Sequence, residues 1–91
     1  MDDRNGGGLG TQARLKVEHD QEADAVYIYL SDKPYACGTD LDDARRIDYD
    51  DVGEPIGVEL LNVSLGVSLD GLPRAAQLAK LLLKRGIRIR G

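Results

Sequence analysis

Apolar and polar residues alternate in four stretches of the chain, and a helical period of about 3.6 takes over only towards the C-terminus. Leu15 and Val17 alternate with Lys16 and Glu18, which predicts a first strand before a turn-forming segment at 20–24. Residues 25–30 place Val26, Ile28 and Leu30 on one face and Tyr27 and Tyr29 on the other. A segment apolar on both faces belongs in the middle of a sheet. A polar linker with Pro34 and Gly38 then leads to a third strand at 45–49, where Ile47 and Tyr49 alternate with Arg46 and Asp48. Asp50, Asp51 and Gly53 form a turn, and Ile56, Val58 and Leu60 repeat at period two, which predicts a hairpin of strands three and four.

Pro73 marks a first helical turn and Gly86 a stop after basic Lys84 and Arg85, so one helix is expected over 72–85. At about 100° per residue, Leu72, Ala75, Ala76, Ala79, Leu82 and Leu83 share the face that covers the sheet. Leu78 and Leu81 fall at its margin or within the polar arc of Arg74, Gln77, Lys80 and Lys84, and are read as partner-contact residues. Ile87 and Ile89, alternating with Arg88 and Arg90, add a short terminal strand or fray. The expected fold is α+β: a four-stranded, mostly antiparallel sheet in meander order with one C-terminal helix on one face.

A chain of 91 residues holds one domain, here 14–91. Residues 1–13, rich in glycine with Leu9 the one large branched residue, read as a flexible tail. The lone Cys37 makes no internal disulfide, no apolar run is long enough to span a bilayer, and no secretory-type segment opens the chain. The cytoplasm is the expected compartment. The net charge of −4 is unevenly spread. Residues 1–70 carry all 16 acids and six bases, a balance of −10, whereas residues 71–91 carry +6 in Arg74, Lys80, Lys84, Arg85, Arg88 and Arg90. Nucleic acid is a poor match for so acidic a body, and complementarity within or between copies of the chain is the better reading.

Candidate chemistry is sparse. His19, Asp20, Glu22 and Asp24 offer one nitrogen and several oxygens to a divalent metal, but the same run is what a polar hairpin turn looks like. Asp48, Asp50, Gly53 and Glu59 occupy positions of a calcium-loop pattern that fails at Val52 and lacks flanking helices. Cys37 and His19 are separated by a central strand, and no second histidine exists to pair with either. Tyr27 and Tyr29 read as a core edge or partner surface rather than a base-stacking platform.

The runs His19-Asp20-Gln21-Glu22-Ala23-Asp24-Ala25-Val26-Tyr27-Ile28 and Ile47-Asp48-Tyr49-Asp50 through Gly53 to Ile56-Gly57-Val58-Glu59-Leu60-Leu61 resemble the family called domain of unknown function 2283, over about 15–64. His19 stands where the family has tyrosine and Gln21 where it has proline. The resemblance implies a short prokaryotic protein with no assigned catalytic residue or cofactor. By association alone it implies an antitoxin-like or partner-binding role. The expectation is a non-enzymatic binding or regulatory module. It is homodimeric because Tyr27 and Tyr29 need cover, with Leu78 and Leu81 as a further contact. A metal-dependent activity of the acidic loops is the alternative, and nucleic-acid binding through the basic C-terminal residues a third.

Overall fold

A computed structural model describes residues 15–90. The tail expected over 1–13 lies outside them. The strands are β1 (Lys16–Asp20), β2 (Ala25–Tyr29), β3 (Cys37–Asp42), β4 (Arg45–Tyr49) and β5 (Pro55–Leu61). A 3₁₀ turn at Val63–Leu65, β6 (Val67–Ser68), helix α1 (Ala75–Lys84) and β7 (Ile89–Arg90) follow.

The sheet is antiparallel throughout, with five strands in the order β1-β2-β5-β4-β3. Two expectations are corrected here. The segment read as a linker forms edge strand β3, which the pattern hid because it is acidic and exposed along nearly its whole length. Backbone pairing to β4, rather than an apolar face, holds it. The order is also not a simple meander: β2 is followed along the chain by β3 but pairs with β5. Residues 30–36 cross three strand spacings, about 14 Å, well within the reach of seven residues.

The turns are set by aspartates. In the β1–β2 hairpin, Asp20 Oδ1 accepts from the Ala23 N–H at 3.0 Å. Asp24 adopts a left-handed φ of 56°, which aspartate tolerates better than most residues. Its carboxylate accepts from the Ser64 N–H at 3.0 Å and the Ser64 hydroxyl at 2.6 Å, pinning the hairpin to the 3₁₀ turn. In the β4–β5 hairpin, buried Asp50 accepts through Oδ1 from the N–H groups of Val52 and Glu54 at 3.0 and 2.8 Å, while Gly53 takes φ 85°. Asp50 Oδ2 is buried without a partner among the described residues.

Helix α1 is shorter than the pattern predicts. Arg74 is left-handed with φ 54°, so Pro73 precedes the helix instead of opening it. The C-terminal end closes as anticipated at Gly86, φ 77°, whose N–H bonds to the Leu83 carbonyl while that of Ile87 bonds to Leu82. The helix rotation is corrected too. Leu78 and Leu82 are both 0% exposed and pack on Val26, Ile28, Ile47, Val58 and Leu60, whereas Leu83 is 59% exposed and Ala76 is at the surface. Leu78 therefore offers no surface to a partner. The terminal strand forms, but in a separate parallel pair with β6 rather than in the main sheet. Arg45 fastens that unit down: its guanidinium donates to the Ser68 carbonyl at 3.1 Å and to the Asp70 carbonyl, and its Nε to Asp42 at 3.0 Å. No described helix is long and apolar enough to cross a membrane.

Candidate functional site

The helix, β6 and β7 cover one face of the sheet. The register brings the alternate residues of all five strands together on the other: Lys16, Glu18 and Asp20; Tyr27 and Tyr29; Gly57 and Glu59; Arg46 and Asp48; Gly38 and Asp40. Among the described residues no second layer lies over them.

These side chains form one connected network. The Tyr27 hydroxyl reaches across β5 and donates to Asp48 Oδ2 on β4 at 2.8 Å. The other oxygen of Asp48 accepts from Arg46 Nε at 3.1 Å. The same guanidinium donates to Asp40 at 3.0 Å and to the Tyr35 hydroxyl at 3.0 Å. Tyr29 donates to Glu18 at 2.9 Å and lies edge-on to Tyr27 with ring centroids 4.7 Å apart. Lys16 places its ammonium 5.1 Å from the Tyr29 ring centre.

Two glycines make the crossings feasible. A Cβ at Gly57 would collide with the Tyr27 hydroxyl and come within 2.9 Å of its ring edge, so only glycine lets Tyr27 bridge β5. A Cβ at Gly38 would meet the Arg46 guanidinium, with Cζ at 2.7 Å.

The network fixes charge rather than moving it. Burial first, then the hydrogen bond to Asp48 and its negative charge, push the Tyr27 hydroxyl well above its ordinary 10.0. The bond to Glu18 leads the causes that raise Tyr29. Arg46 is held protonated, chiefly by its bonds to Asp40, Tyr35 and Asp48. A tyrosine raised in the folded state contributes stability that is complete below the unfolded value, near pH 10, and is lost as pH climbs beyond it. Phenolate absorbance titration should therefore show retarded ionisation whose most delayed component Tyr27→Phe removes, leaving that of Tyr29. The decline of stability above pH 10 should become shallower in that variant. An unchanged titration would detach Tyr27 from Asp48.

The remaining candidates are dispersed. Of the proposed metal ligands, Asp20 and Asp24 are committed to the turn bonds described above, and His19 alternates onto the opposite face of β1 from Asp20. Among the described residues no group of three or more His, Cys, Asp or Glu side chains converges as a metal site. In the calcium-like pattern, Asp48 bonds Tyr27 and Arg46 while Asp50 bonds its own turn, so the two carboxylates do not wrap one ion. Cys37 and His19 sit on opposite edge strands, four strand spacings or about 19 Å apart across the sheet and further separated along it, since Cys37 lies in line with Pro55 of β5 and His19 with Leu60. Leu81 is half-buried and lines a groove of about 290 Å³ with Leu15, Gln77, Lys80 and Lys84. Arg74, Lys80, Lys84, Arg85, Arg88 and Arg90 are all exposed on the helical side, with the sheet between them and Tyr27 and Tyr29. The cations that do share the tyrosine face are Lys16 and Arg46, outnumbered there by carboxylates, which is a poor surface for a single nucleic-acid strand.

Sequence reading reached Tyr27 and Tyr29 but not Asp48, Arg46, Asp40 and Tyr35 as their partners. The alternation of Arg46 with Ile47 gave the face of each residue; which strand lay alongside was the missing piece.

A family model described as a protein of unknown function (DUF2283) matches residues 16–64, which hold β1 to β5 and the 3₁₀ turn and stop short of α1. No curated protein and no solved structure matches the chain. Within the matched stretch Asp20 and Asp24 build a turn and its clamp, Asp50 and Gly53 build another, and Gly57 admits Tyr27.

Proposed function

Because this chain belongs to the DUF2283 family, and the matched residues 16–64 here build a sheet with one uncovered face, we propose that it is a non-enzymatic protein-binding module working through that face. It associates with copies of itself and, in its regulatory form, holds a second protein much as an antitoxin holds its target. The observation that carries this reading is the Tyr27–Asp48–Arg46 relay across Gly57. It pre-orders two tyrosines and an arginine, residue types that dominate binding energy at interfaces, at little further entropic cost on docking.

The test is a photo-reactive residue in place of Tyr29 in the full chain, expressed in its native host, with the same group at Val52 on the exposed β4–β5 turn as control. Position 29 is expected to yield discrete adducts identifiable by mass spectrometry, including one of twice the chain mass, and position 52 none. A Tyr29 pattern no richer than that of Val52 would remove the reading.

A further inference from the structure

The uncovered face carries five acids, Glu18, Asp20, Asp40, Asp48 and Glu59, against two bases, Lys16 and Arg46. A shallow groove of about 370 Å³ at its β3–β4 end keeps the acidic excess, with Asp40, Asp42, Asp43 and Glu59 against Arg45 and Arg46 in its lining. The opposite side of the molecule is cationic. There Arg74, Lys80, Lys84, Arg85, Arg88 and Arg90 are exposed, and among the described residues none of them forms an ion pair. The ion pairs that do form involve Lys16, Arg45 and Arg46 on the sheet. The α1 lysines and the carboxylates of the uncovered sheet face thus lie on opposite sides of a two-layer fold, with the packed core between them. Arg90 alone comes near the acidic groove, sharing a small cavity with Asp42 and Arg45, whereas Lys80 and Lys84 on α1 line a separate groove with Leu15 and Leu81.

Starting from the self-association reading, on which this step rests, we propose that the copies meet head to tail. The Lys80–Lys84 side of α1 in one copy docks on the uncovered sheet face of the next. The occupant of the acidic face is accordingly a second copy of this chain. Two-fold pairing of the sheet faces would set five acids against five, and two-fold pairing of the helices six bases against six, so charge disfavours both symmetric arrangements. The helical side also offers an apolar floor, Leu81 and Leu15, between its two lysines, where an exposed ring such as Tyr35, 56% exposed, can be buried. The sheet face already accepts an ammonium over Tyr29, that of Lys16. Since each copy presents both surfaces, the contact is heterologous and repeats as a stack.

The experiment is sedimentation velocity on the full chain at tens of micromolar in low and high salt, with two neutralised variants, Lys80→Gln/Lys84→Gln and Glu18→Gln/Glu59→Gln. The unmodified chain should show a mass that grows with concentration and falls to the monomer in high salt. Each variant alone should associate about ten-fold more weakly. An equimolar mixture should recover a species of twice the monomer mass and no larger, because one intact surface of each kind remains. A salt-insensitive dimer unaffected by either variant would overturn the head-to-tail arrangement and leave self-association standing. A monomer under every condition would overturn both. Nucleic acid co-purifying with the chain and lost on Lys80→Gln/Lys84→Gln, without self-association, would also overturn it and assign the basic side to a polyanion.

Discussion

Leu78→Asp is expected to leave the chain unfolded at room temperature, with a circular dichroism spectrum lacking both helix and sheet. Leu78 is 0% exposed and packs into the apolar cluster that joins α1 to the sheet. Truncation of a buried leucine to alanine costs about 2–5 kcal/mol, and an aspartate there adds the penalty of an unpaired buried charge. A chain of this size has about 5–10 kcal/mol of stability in all, so the aspartate consumes most or all of it. Leu78→Ala should fold, with its urea midpoint clearly lowered. The comparison discriminates sharply between the two placements of this residue. If Leu78 lay on the surface as a partner contact, the aspartate variant would keep a native spectrum and lose only association.

Gly57→Ala should destabilise the protein by about 2 kcal/mol, an unusual cost for one methyl group on a strand. The added Cβ occupies the space through which the Tyr27 ring passes, so the ring must swing out and release Asp48. Loss of a hydrogen bond to a charged acceptor and of the packing over β5 accounts for the magnitude. In a Tyr27→Ala background the obstruction is gone, and Gly57→Ala should be neutral or slightly stabilising, as expected when glycine leaves a strand interior. Urea denaturation of the four proteins closes a double-mutant cycle with a coupling of about 2 kcal/mol. Additive effects would mean that Gly57 serves the backbone and not the tyrosine.

The network gives the family resemblance a physical meaning. The matched stretch holds an Asp-Ala-x-Tyr run followed by Gly-x-Glu. In the fold Asp24 clamps Ser64, Tyr27 crosses Gly57, and Glu59 stands beside Tyr27 on the same face. The matched residues end at 64, and the segment beyond supplies Val67, Leu72, Leu78, Leu82 and Ile87, which cover the apolar face of the sheet. The segment beyond residue 64 thus decides which face of the sheet stays open.

By itself the sequence determined those features that rest on local periodicity and turn chemistry. The alternation in β1, β2, β4 and β5, the aspartate and glycine turns, the single helix with its Gly86 stop and the division of charge between residues 1–70 and 71–91 were all legible, because each depends on neighbours a few positions away. Tertiary structure alone decided the rest. Strand β3 has no apolar face and exists through pairing with β4. Placement of β2 beside β5 depends on a crossover that local pattern does not encode. The rotation of α1 depends on Arg74 entering the left-handed region, which delays the helix and turns Leu78 inwards and Leu83 out. The face of Tyr27 and Tyr29 was settled by period two. Their partners Asp48 and Glu18 lie 21 and 11 positions away, a relation fixed only by strand register.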